Sequence, residues 1–205
     1  IGTAQFGGTG PEYNLIWDAN NNGRSLVWLD YSSPRGSWDS QAAFAAGLNA
    51  AGALTYDIDS SYRVDWSGNS WRLPSYPRDQ ENGYDKVDSE LGHLYYVGLG
   101  LPRWDPRGSG NTAALLNASN FDDLVSWIYW AEQAPYSPEV AWGFDFLSGA
   151  TTVHLKANFV NYGLYGMAVR TGQVLLPEPA TMGLLAGGLV GLAGLSRRRT
   201  SRPLH

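Results

Sequence analysis

Oxygen-bearing side chains that stand close together can hold a cation or move a proton, and several sets in this sequence have that chemistry. Asp18-Ala19-Asn20-Asn21-Asn22-Gly23 has the D-x-N-x-N-G opening of an EF-hand loop, whose oxygens wrap a calcium ion. The acid that such a loop needs at its last position is Leu29 here. Asp18, Asn20 and Asn22 are therefore a weak calcium candidate, and the expectation is an Asx-rich hairpin turn with no metal and no other cofactor. Asp57, Asp59, Asp65 and Glu81 would suit glycoside hydrolysis if two of them faced each other across a groove, but their polar setting reads as a solvated acidic loop. His93 and His154 lie far apart without an HExxH spacing and read as structural. Arg72, inside Trp71-Arg72-Leu73-Pro74, is expected to tie a loop by donating from its planar fork to carbonyls or a carboxylate. The chain has no cysteine, which removes thiolate nucleophiles, thiolate metal sites and disulfides.

Nine tryptophans and twelve tyrosines add a different chemistry, because a flat ring covers the apolar face of a sugar. Trp17, Trp28, Trp38, Trp71 and Trp142 sit in strand- and helix-like words and are expected in the core. Tyr76, Trp104 and Tyr136 lie in loops beside Pro, Asp or Ser and are the candidate surface contacts for a ligand.

These side chains need a frame. Leu15-Ile16-Trp17 and Leu26-Val27-Trp28-Leu29 flank the Asp18–Gly23 stretch and predict a hairpin. Ser37 is placed as an N-cap for a helix over Trp38–Ala51 that a left-handed Gly52 would end. A shorter helix is expected over Glu90–Val97, capped by Ser89 or Asp88. Trp142, Phe144 and Phe146 alternate with Gly143, Asp145 and Leu147, which puts three rings on one face of a strand. Ser148-Gly149 turns it, and Thr152–Ala157 returns with Val153 and Leu155 on its apolar face. A further strand is expected over Tyr165–Arg170, with Tyr165, Met167 and Val169 on one side. The class is α+β, antiparallel strands and hairpins with two helices to one side.

The formal charge is −5, yet four of the fourteen basic residues, Arg197, Arg198, Arg199 and Arg202, stand at the very end. Residues 1–196 hold ten basic against nineteen acidic side chains, a net −9 that repels nucleic-acid phosphates. Ala180 to Leu195 runs sixteen residues without a charge, about 24 Å as a helix against a hydrocarbon core of about 30 Å. A transmembrane-like helix is expected over 180–196, with Arg197, Arg198 and Arg199 as the cytoplasmic membrane stop.

Pro177-Glu178-Pro179-Ala180-Thr181, then the apolar Gly/Ala/Leu run, then three arginines, resembles the PEP-CTERM sorting signal of Gram-negative bacteria. The resemblance implies entry into the export route, transient anchoring in the inner membrane and processing near Pro177, Glu178 and Pro179 by an exosortase. The sequence starts at Ile1 without an initiator Met or an apolar leader, so export is inferred from the tail, the leader having been removed or the chain being a fragment.

A second resemblance covers about residues 13–172. The order LVWLDYS, SWDSQAAFAAGL, NSWRLPS, SELGHLYYVGLG, WIYWAEQAPYSPEVAWGFDFLSG and YGMAVRTG is similar to a bacterial domain family related to the C-terminal domain of a collagen-like adhesin. Trp71-Arg72-Leu73-Pro74 and the Trp142–Gly149 hairpin are its more specific markers. That family implies the C-type lectin-like fold, shared with sulfatase-modifying enzymes. Their cysteine chemistry does not carry over to a chain without cysteine, and the Glu-Pro-Asn, Gln-Pro-Asp and Trp-Asn-Asp words of calcium-dependent lectins are missing from the body.

The resulting division is a Gly-rich segment at 1–12, the lectin-like domain at 13–172 and the sorting signal at 173–205. The expected function is a non-enzymatic binding or structural module, exported to the cell surface or matrix and associated with exopolysaccharide. The alternative is a secreted hydrolase acting on polysaccharide through carboxylates. The expected partners are exosortase, the inner membrane during sorting and extracellular polysaccharide, and no nucleic acid.

Overall fold

In the computed structural model, which describes residues 1–66, 70–78, 81–105, 119–157 and 163–176, strand pairing begins at Gly2. β1 (Gly2–Phe6) runs antiparallel to β2 (Glu12–Asn21) with Thr3 opposite Asn14. The domain therefore starts ahead of residue 13, and its compact unit spans Ile1–Leu175. β2 turns into β3 (Arg24–Leu29) through Asn22-Gly23, whose φ values of +52° and +79° match the two-residue hairpin turn favoured by the right-handed strand twist. β4 (Ser33–Gly36), β5 (Leu54–Ile58) and β6 (Arg63–Asp65) follow, and after a long irregular stretch come β7 (Ile128–Gln133), β8 (Val140–Asp145) and β9 (Ala150–Leu155). β10 (Leu164–Gly166), β11 (Val169–Thr171) and β12 (Gln173–Leu175) complete the strands. One five-stranded sheet has the order β11-β3-β2-β1-β5, a second β4-β10-β7-β8-β9, and β12 pairs with β6 in a short ribbon. Pairing is antiparallel except between β10 and β7. The body is mostly β, with two short helices.

Both helices stop earlier than the sequence pattern predicts. α1 (Trp38–Gly47) is capped as expected by Ser37, whose side chain accepts the Ser40 N–H. It ends before Ala51 because Asn49 is recruited elsewhere: its amide donates to Ala46 O and Trp71 O and accepts the Trp71 N–H. Gly52 does take φ +76°, but in the turn that follows. α2 (Glu90–His93), capped by Ser89 through the Gly92 N–H, opens into a wider π-helical turn at Leu94–Gly98. That turn carries Tyr95 against Phe144 and Phe146, at ring distances of 5.3 and 5.8 Å.

Alternation along three strands feeds two separate apolar clusters. On β3, Leu26 and Trp28 enter one while Val27 and Leu29 enter the other. β7 sends Tyr129 and Ala131 to the first and Trp130 to the second, and β8 sends Trp142 and Phe144 to the first and Ala141 to the second. These strands are buried on both faces, which is why their sequences read as near-continuous apolar runs. The expected aromatic face of Trp142, Phe144 and Phe146 is present and fully buried. Its partner strand lies two residues earlier than predicted, and Leu155 is 49% exposed rather than apolar-facing. The strand expected over Tyr165–Arg170 is split. Leu164–Gly166 belongs to the second sheet and Val169–Thr171 to the first, so Met167-Ala168 carries the chain between them, with Ala168 O accepting the Leu29 N–H.

The Trp71–Tyr76 segment forms no regular strand, yet it is bonded to its neighbours almost residue by residue. Arg72 exchanges both backbone bonds with Val169, Pro74 O accepts the Glu132 N–H, and Ser75 O accepts the Glu90 N–H. The Arg72 fork reaches Glu90 with both nitrogens, at 2.7 and 2.8 Å, and also donates to Leu73 O. Glu90, whose side chain is 0% exposed, further accepts the Ser75 N–H and stands 3.3 Å from Arg24. Burial alone would push its carboxyl up, but Arg72, the Ser75 N–H and Arg24 outweigh that and hold it below the ordinary value.

Two outcomes follow from this packing. Trp142→Ala should cost on the order of 3–5 kcal/mol and leave little soluble protein, since it removes the ring stacked on Tyr76. Glu90→Gln should be less stable than wild type near neutrality by up to about 3–5 kcal/mol in chemical denaturation. A folded pKa below the unfolded one contributes stability above the ordinary value of about 4.3 that is lost as pH falls through the folded value. Asp30 and Glu132, both shifted upward by burial, act in the opposite sense. The diagnostic is therefore the difference between variants: wild type should lose stability on acidification more steeply than Glu90→Gln, and more steeply than Arg72→Ala, which leaves the buried carboxylate only the Ser75 N–H and Arg24.

Candidate functional site

β1 pairs with β2 only as far as Asn14, so from Ile16 onward β2 has β3 on one side and, among the described residues, no strand on the other. Two open hollows of about 670 and 480 Å³ lie there and share Ile16, Trp17, Ser119 and Asn120. The larger is bordered by Asn14, Asp59, Tyr62 and Asp122, the smaller by Asp18, Leu94, Leu99 and Phe121. Trp17, expected in the core, is instead half-buried between them. Its ring meets Tyr62 edge-on at 6.3 Å and its indole N–H donates to Ser25 Oγ at 3.0 Å.

The far wall is fixed by a buried acid. Asp30, 1% exposed at the end of the β3 apolar run, accepts the backbone N–H groups of Asp122 and Asp123 at 2.7 and 3.1 Å. Asn14 donates to Asp122 across the groove at 2.8 Å. Burial lifts the Asp30 carboxyl above its ordinary value, only partly offset by those two amides.

The other acids are spread over the surface. Asp57 sits on β5 opposite Thr3, Asp59 in the turn after it, Asp65 on β6 opposite Gln173, and Glu81 pairs with Lys86 at 3.7 Å. Of these only Asp59 borders the groove, and Ser61 N–H and hydroxyl bonds hold its carboxyl below the ordinary value. Glu132, which the sequence did not single out, borders a hollow of about 260 Å³ with Trp38, Trp71 and Arg72, and burial lifts its carboxyl against the pull of the Tyr76 N–H and Arg72. His154 packs edge-on against Trp130 at 5.8 Å with Nε2 2.6 Å from Thr152 Oγ1, and burial lowers its pKa. His93 closes α2.

The three aromatic candidates are not brought together. Tyr76 is buried, not at the surface: it stacks on Trp142 at 5.4 Å and 11°, because the anchored 71–76 segment carries it inward. Tyr136 is 63% exposed and meets Trp142 edge-on. Trp104, 54% exposed, is anchored past the end of β8 by its N–H to Ser148 O.

The calcium candidates serve the hairpin. Asp18 accepts from the Asn20 N–H and the Asn21 amide, Asn20 Oδ1 accepts the Gly23 N–H, and the Asn22 amide donates to Val87 O and Asp88 O. Among the described residues no group of three or more His, Cys, Asp or Glu is placed to hold a metal.

Residues 176–199 match the PEP-CTERM protein-sorting motif. No curated protein and no solved structure matches the chain. The motif implies export with transient membrane anchoring and processing by an exosortase. Pro177, Glu178, Pro179, the apolar stretch 180–196 and Arg197, Arg198 and Arg199 lie outside the described residues. Among the described residues no helix is long and apolar enough to cross a membrane.

Tyr62, Glu90 and Asp30 were legible only weakly. The one usable signal was a lone carboxylate in apolar company, as in Leu26-Val27-Trp28-Leu29-Asp30. With the Asp18 carboxylate and Asn20 Oδ1 engaged in the turn, and Leu29 where a calcium loop needs its last acid, millimolar calcium or EDTA should leave the melting temperature unchanged, and a rise of several degrees with calcium that Asp18→Ala abolishes would show a site there.

Proposed function

We propose that the chain is an exported, non-enzymatic binding domain that its sorting signal delivers to the cell surface or extracellular matrix, where the groove over Trp17 takes polysaccharide. The observation that carries this reading is the sorting motif at 176–199, because it implies export of an acidic body with an open groove. A saccharide chain suits that groove: Trp17 and Tyr62 offer rings to C–H faces, and Asn14, Ser119, Asn120 and Asp122 offer partners to hydroxyls. The C-type lectin-like fold, related to the adhesin C-terminal domain, belongs to the same proposal. It is supported by the position of its two marker words, Trp71-Arg72-Leu73-Pro74 at the bonded centre and Trp142–Gly149 with Trp142, Phe144 and Phe146 in the core.

A carboxylate-dependent hydrolase is the second reading, and one observation favours it: Asp59 and Asp122 border the same hollow. It fits less well, since the general acid of such enzymes depends on a buried setting and both Asp59 and Asp122 are exposed. In the native host, mass spectrometry should find a mature C-terminus near Pro177–Pro179, and replacing all three motif residues with alanine should leave the arginine-tailed form in the inner membrane. An intact tail on the mature protein, in a host with an exosortase, overturns the sorting reading. In affinity electrophoresis of the full chain in mild detergent, a neutral galactomannan should retard wild type without reducing ends appearing, and Trp17→Ala should weaken this about five-fold.

A further inference from the structure

Large apolar side chains that remain exposed gather at the β8–β9 turn. Leu147, in that turn, is 48% exposed, Trp104 is 54% and Tyr84 and Trp127 are each 40%. All four are tied to the turn region through the backbone. Trp104 N–H donates to Ser148 O, Trp127 O accepts the Phe146 N–H, and Gly83, next to Tyr84, exchanges both backbone bonds with Thr151. On the other side of Tyr84, the Asp85 N–H donates to the Tyr96 hydroxyl, which donates to Gly149 O. A ring left half in water adds little to stability, so holding several in fixed backbone positions stores recognition surface rather than core.

Tyr84 and Trp104 flank an open hollow of about 400 Å³ whose other walls, among the described residues, are Arg103 and Asp105. Arg103 is oriented by Asp85 at 3.1 Å. Half of this lining is flat π surface and half is planar, charged hydrogen-bonding groups. That division matches a pyranose, whose C–H face lies on a ring while its hydroxyls reach an Arg fork and a carboxylate. A protein partner or a second copy would bury a more continuous apolar face, and a simple ion would have no use for the rings.

We propose that the Tyr84–Trp104 hollow is a second saccharide-stacking site, taking a sugar unit of a neutral or amino-sugar polysaccharide. It rests on the reading of the body as a polysaccharide-binding domain. Among the described residues the hollow shares no lining residue with the Trp17 groove. The two sites flank the same helical turn, with Leu94 and Leu99 bordering the groove and Tyr96 bonded on the Asp85 and Gly149 side. One domain therefore engages two stretches of polymer, and linked engagement raises apparent affinity above that of either site. Polyuronates are disfavoured by the acidic body and by Asp85 and Asp105.

The test is affinity electrophoresis of the full chain in mild detergent through gels holding galactomannan, chitosan or alginate, with melting temperatures as the control for folding. Galactomannan or chitosan should retard wild type more than alginate. Trp104→Ala and Trp104→Leu should each weaken retardation at least about five-fold at unchanged melting temperature, Trp104→Phe should keep most of it, and Trp17→Ala with Trp104→Ala should abolish it. If Trp104→Ala migrates as wild type while Trp17→Ala does not, the second site is refuted and the binding function stands. Full activity in Trp104→Leu would mean apolar docking rather than ring stacking and also refutes it. Failure of all three polymers to retard wild type removes both readings.

Discussion

A fully buried carboxylate with nowhere to go but Arg72 organises this domain. Glu90 is the first residue of α2, and its charge is tolerable only because a two-pronged guanidinium, a backbone N–H and a second arginine meet it. Three stretches distant in sequence are thereby fixed to one point: the start of β3 through Arg24, the irregular 71–76 segment and the helix itself. Asn21 adds a fourth link by donating to Glu90 O. The irregular segment then passes the constraint outward, to β11 through Val169, to β7 through Glu132 and to α1 through Asn49. Backbone that has no sheet partner is satisfied without being a strand, which is the condition for burying it.

Around that point the aromatic residues divide the labour. β3, β7 and β8 point alternate side chains into two clusters, and a chain without cysteine has no disulfide to hold the sheets together. Several rings that fit neither cluster, Trp17, Tyr62, Tyr84 and Trp104, stand at the two open sites. Trp17 stands where β1 stops short of β2, and Trp104 and Tyr84 stand where the β8–β9 turn leaves the core. Both places are ends of pairing rather than faces of sheets. Both hollows are thus lined by rings whose backbone is bonded into the fold but whose side chains stay partly in water.

Much of the local structure was readable from the chain. Ser37 and Ser89 cap helices, Asn22-Gly23 turns a hairpin, and the Trp142, Phe144 and Phe146 alternation predicts a buried aromatic face, because each depends on contacts within a few residues. The errors share one cause. α1 ends early because Asn49 bonds Trp71 rather than continuing the helix, Tyr76 is buried because its segment is pulled onto Glu90, and the strand after Tyr165 breaks because it changes sheets at Met167-Ala168. Loop composition marked Tyr76 and Trp104 alike, and only the first met a distant ring, Trp142, that buries it.

The sequence by itself determined the export address, since an ordered PEP motif, apolar run and arginine stop is read linearly and needs no fold. It also determined that Trp142, Phe144 and Phe146 share one face, through their alternation, and that Arg72 would tie the chain together, because a planar fork in an apolar word must find a partner. It did not name Glu90 as that partner, place Trp17 at a groove or set Trp104 beside Tyr84. Those pairings join residues separated by long loops, and their free energy depends on burial and distance, which exist only once the sheets have closed on one another.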